Sequence, residues 1–105
     1  LTVGQNKVTF RMPYAMTLTD VRASVSTAPV GSTLLVNIDQ NGSSLFTTNL
    51  LSIDSTEKTS TTAASSRNIT TTALGDDGEI TIDIGQVGST TAGAGLKVTL
   101  IGTRA

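Results

Sequence analysis

The sequence contains no cysteine, no histidine and no tryptophan, and each absence removes a class of chemistry. Without cysteine there is neither a thiol nucleophile nor a disulfide framework. Without histidine the commonest general base is gone, and so are the ordinary ligand sets for zinc. Aromatic residues number three, Phe10, Tyr14 and Phe46, so large rings cannot dominate burial as they do in most small cores. Charged residues make up 14% of the chain and the net charge is −1. The seven basic residues stand singly, without the clustering or aromatic interleaving of a nucleic-acid binder. No apolar run approaches the ~20 residues of a membrane helix. Neither nucleic acid nor a membrane is expected as a partner.

Leu, Val, Ile and Phe together number 27 of 105 residues, above the roughly 20% below which chains tend to stay disordered. A folded core built from aliphatics is expected, within one domain spanning residues 1–105. Thr and Ser account for 31 residues. With so few rings and no covalent staple, part of the stability is expected to come from association with other subunits.

The dominant period is two. Val8, Phe10 and Met12 alternate with Lys7, Thr9 and Arg11. The same pattern runs through Val21–Val25, Leu34–Ile38, Ile80–Ile84 and Leu96–Leu100. Such alternation is that of half-buried strands, and Thr suits their outer faces. Turn chemistry separates the segments. Asn41-Gly42 is a hairpin signal because both residues tolerate positive φ. Ala28-Pro29-Val30-Gly31, Gly75-Asp76-Asp77-Gly78 and Gly93-Ala94-Gly95 punctuate the rest. Ser55–Thr72 is a Ser/Thr/Ala-rich stretch that reads as a polar loop, with short strands anchored by Ile53 and Ile69 at its ends. The fold expected is all-β: an antiparallel β-sandwich, jelly-roll-like, of about seven or eight short strands.

Few side chains suggest chemistry. Asp76, Asp77, Glu79 and Asp83 are the densest acidic group, the residue types of a calcium site or a glycosidase pair. Their Gly-flanked setting reads more simply as a solvated turn. Asp39-Gln40-Asn41-Gly42 opens like a calcium loop but lacks the later acidic ligands. Asn41-Gly42-Ser43 and Asn68-Ile69-Thr70 match the glycosylation pattern, which arises easily in a chain this rich in Ser and Thr. A nucleophilic Ser or Thr would need Lys7, Lys58, Lys97 or a carboxylate as its base, and no motif places one. No catalytic, cofactor-binding or metal-ligating residue is assigned, and no enzyme is expected. Leu35 and Ile101 are apolar residues on the polar side of alternating strands. They mark either a subunit interface or a second buried face created by a register shift.

Phe10-Arg11-Met12-Pro13-Tyr14 opens an ordered set of motifs. It continues through Leu18–Val25, Ala28–Ser32, Val36–Gly42 and Ile53-Asp54 to Ile80–Gly88 and Gly95–Gly102. Together these resemble a small domain that recurs in tailed-bacteriophage virion proteins, often at the end of fibre-like structural proteins. The resemblance spans most of residues 7–102. It implies a β-sandwich without catalytic activity, exposed on the virion surface as a head or tail fibre or a capsid decoration (cement) component. It further implies assembly into homo-oligomers, trimers being favoured. Other virion proteins, such as the major capsid protein or a fibre, are the expected partners, and a host-surface glycan is a further one. The alternative reading is a carbohydrate-binding module, with Tyr14 as the stacking platform and Phe10 turned into the core. A secreted adhesin or pilin-like subunit would share the fold but carry a signal peptide, a pattern not seen here.

Overall fold

The computed structural model describes residues 1–65 and 67–105. Eight strands follow one another: β1 (Gly4–Arg11), β2 (Met16–Ser24), β3 (Leu34–Gln40), β4 (Ser43–Ser44), β5 (Leu51–Ile53), β6 (Ala73–Leu74), β7 (Glu79–Gln86) and β8 (Lys97–Arg104). All pairings are antiparallel. The chain is the all-β sandwich its alternation requires. One sheet has the order β1-β7-β3, with β4 and β5 sharing the far edge of β3; the other has the order β6-β2-β8. Successive strands pass repeatedly between the sheets, and β7 returns late to lie between β1 and β3, as in jelly-roll topologies.

The core is the aliphatic layer between the sheets. Val21 and Ala23 from β2 meet Leu34, Val36 and Ile38 from β3, Leu51 and Ile53 from β5, and Ile80, Ile82 and Ile84 from β7. Phe46 is its single buried ring. Leu18 would be out of phase with Val21 and Ala23 on a regular strand. A register shift between Leu18 and Asp20 opposite β8 restores the phase, because one extra residue turns the following side chains to the other face.

The Ser/Thr-rich stretch after β5 is a structural cover. It runs along the edge of β2 that β6 leaves unpaired: Leu18 N–H donates to Thr72 O at 2.8 Å and Val25 N–H to Lys58 O at 3.0 Å. Ala23 N–H donates to Ser60 Oγ at 3.0 Å, beside a short 3-10 turn at Ser60–Thr62. Arg67 Nε donates to Asp20 Oδ1 at 2.7 Å. The Arg67 guanidinium holds the Asp20 carboxyl below its ordinary range, against the opposing effect of burial. Ile53 ends β5, and Ile69 forms an isolated bridge with Phe46, so both expected anchors take extended pairings. Ser66, within this stretch, lies outside the described residues.

These contacts make the two sides of the sandwich unlike. On one side, β4 and β5 cover β3 while Lys58–Ser60, Arg67 and Thr72 lie against β2. On the other, β1 and β8 end their sheets with no partner among the described residues.

Candidate functional site

Between β1 and β8 lies an apolar cleft of about 610 Å³, lined chiefly by Val8 and Phe10 of β1, Ile82 and Ile84 of β7, and Leu96 and Val98. Its existence corrects one expectation. Phe10 faces the same side as the core residues, pairing with Ile80 while Val8 pairs with Ile82. The second sheet is too narrow to cover them, however, and Val8 remains 49% and Phe10 37% exposed. The alternation was a sound guide to the face of the strand but not to what lies over it.

The acidic group splits in two. Asp76 and Asp77 sit in a tight turn closed by Gly78 N–H donating to Gly75 O at 3.1 Å. Arg11 lies 3.8 Å from Asp77 and 3.7 Å from Glu79, in exposed pairs worth a few tenths of a kcal/mol at most. Asp83 points elsewhere. It is buried on the outer face of β7, where its Oδ1 accepts Asn6 N–H at 2.7 Å. Among the described residues, no group of three His, Cys, Asp or Glu is arranged to hold a metal ion. Asp39-Gln40-Asn41-Gly42 is the β3–β4 hairpin, with φ of 51° at Asn41 and 85° at Gly42. Asn41 Oδ1 accepts Glu79 N–H at 3.0 Å, and Asn68 Nδ2 donates to Thr48 Oγ1 at 3.0 Å, so both candidate acceptor amides make internal hydrogen bonds. Lys7 Nζ donates to Thr2 Oγ1 at 2.7 Å in an exposed contact, while Lys58 and Lys97 have no such hydroxyl partner among the described residues.

Tyr14 is half-exposed, but one face of its ring carries the Arg104 guanidinium, 4.7 Å from the centroid. Leu35 and Ile101 are both half-buried and both sit at register irregularities. Leu35 lies where β3 shifts against β7, in a depression with Leu50 and Thr48. Ile101 lies opposite Asp20 at the β2 shift.

One arrangement that spacing could not reveal is the Asp39–Asp83 pair. The β3–β7 register sets Asn37 opposite Asp83 and Asp39 opposite Thr81, which brings the two carboxylates together. Burial, then the neighbouring Asp83, raises the Asp39 pKa above its ordinary 3.8; an Asn37 amide donating at 3.0 Å opposes the shift. A raised carboxyl pKa means that the folded state binds a proton more readily than the unfolded state. The stabilising effect is therefore full below 3.8 and lost as pH rises through the folded value. Because Asp20, with its lowered pKa, contributes in the opposite direction, the effect is read against Asp39→Asn: the parent's thermal midpoint should rise relative to this variant's as pH falls from 7 toward 4. At pH 7 this variant should gain about 0.2–1 kcal/mol, the scale of a like-charge cross-strand pair. A midpoint difference between the parent chain and Asp39→Asn that stays the same at every pH would contradict the pairing.

No family model, curated protein or solved structure matches the chain.

Proposed function

We propose that this domain is a non-enzymatic structural component of a bacteriophage virion. It acts through protein–protein contacts at the particle surface, either in a head or tail fibre or as capsid decoration. The observation that carries the reading is the open side of the sandwich. One pair of sheet edges is covered by short strands and by the segment that follows β5, while the other pair has no partner among the described residues and lies over an apolar cleft. Half-exposed aliphatic and aromatic side chains gathered there are the features of an assembly surface. The ordered motifs that resemble virion domains supply the setting. A Thr/Ser-rich, Cys-free surface suits a particle assembled in the reducing bacterial cytoplasm.

The test is the protein content of purified particles of the phage encoding this chain. Mass spectrometry should find its peptides at a constant ratio to the major capsid or fibre protein. Peptides confined to the infected-cell lysate, and lost on particle purification, would overturn the proposal.

A further inference from the structure

We infer, building on the assembly reading, that the open side is closed by a second copy of the same chain, with the two β1 strands antiparallel about a two-fold axis. The large hydrophobic side chains left exposed among the described residues are Val3, Val8, Phe10 and Tyr14. All four lie on β1 or its flanks, so the apolar surface is concentrated along one strand rather than scattered.

Charge selects both the partner and the orientation. Lys7, midway along β1, reaches back toward its start at Thr2, and Lys97 follows the Gly95-Leu96 segment that lines the same end of the cleft. The other end carries Asp76, Asp77 and Glu79, held beside β1 by Asp77 N–H donating to Met12 O and Met12 N–H to Gly78 O, each at 3.0 Å. Arg11, and Arg104 stacked over Tyr14 at the same end of β1, offset part of that negative charge and leave these five side chains with a net charge of −1. Two copies set antiparallel bring the basic end of each against the acidic end of the other; a parallel setting would oppose like charges. A uniformly acidic partner would suit one end and be repelled at the other. A second copy matches both, as an isologous interface requires.

The register break between Gly4 and Val8, with Asn6 at φ 53°, disrupts the first half of the edge. The regular run Val8–Arg11 is left as the segment of contact.

The experiment is light scattering over a concentration series, with sedimentation equilibrium for affinity and circular dichroism to confirm folding. The parent chain should show a two-chain mass. Phe10→Glu, at a half-exposed position, should keep the fold and weaken the pair at least tenfold. Lys7→Glu should weaken it roughly fivefold, and so should Asp76→Lys with Asp77→Lys. Combining the two charge reversals in one chain should restore affinity to within about twofold, a rescue that a purely local effect on folding would not produce. A one-chain mass at every concentration overturns the inference, as does a trimer or a pair indifferent to Phe10→Glu and Lys7→Glu. None of these outcomes bears on whether the chain is present in particles, so the proposed function fails or stands separately.

Discussion

Gly88→Ala is expected to remove about 4 kcal/mol or more of stability, enough to unfold much of the population of a domain this small. Gly88 is buried where the β2–β3 and β7–β8 connections meet. Val30 N–H donates to Thr91 O at 2.9 Å, Thr90 N–H returns to Val30 O at 2.9 Å, and Gly88 N–H reaches Ala92 O at 3.3 Å. A Cβ on residue 88 would fall 1.9 Å from Thr91 O and 2.6 Å from Val30 N. These are backbone atoms already fixed by their own hydrogen bonds, so no side chain can swing aside to relieve the overlap. Accommodating the methyl group means breaking the Val30–Thr91 bridge that ties the two loops together. Urea unfolding measures the effect; a midpoint close to that of the parent chain would show that the junction can open without cost.

Leu45→Ala should cost about 3–4 kcal/mol, toward the middle of the range for a buried leucine. Its side chain is completely buried. Its backbone is also a junction: Leu45 N–H donates to Ile38 O at 2.9 Å, and Thr70 N–H donates to Leu45 O at 2.9 Å. Truncation therefore leaves a cavity in a segment held at both ends, which limits collapse into the space. At 4–8 °C per kcal/mol for a domain of this size, the thermal midpoint should fall by about 15 °C or more. Leu35→Ala, on the half-buried outer face of β3, is the control and should lose about 1 kcal/mol or less. Equal losses at the two positions would mean that the core does not lie between the sheets as described.

The legible part of the fold was the part with a local cause. Ile80, Ile82 and Ile84 alternate with polar neighbours, and that alone makes β7 a strand with one buried face. Asn41-Gly42 makes the β3–β4 hairpin because both residues accept positive φ. The Leu18 phase shift was not legible, since a register shift depends on how β8 pairs with β2. The Ser/Thr-rich stretch read as a polar loop, and its role as the cover of the β2 edge rests on contacts such as Arg67 with Asp20, 47 residues apart. The candidate site was the least legible. Val8 and Phe10 carry the same alternation as buried strand residues, and nothing within β1 says that the opposing sheet stops short of them.

By itself, then, the sequence determined the all-β character, the inward face of the five alternating segments and the main turn positions. It also determined the absence of thiol and imidazole chemistry, because those properties belong to single residues and near neighbours. Only the tertiary structure decided which faces are covered, which carboxylates meet and which sheet edges stay bare. Each of those depends on segments far apart in the chain packing side by side, where burial and charge act through distance in space rather than along the sequence.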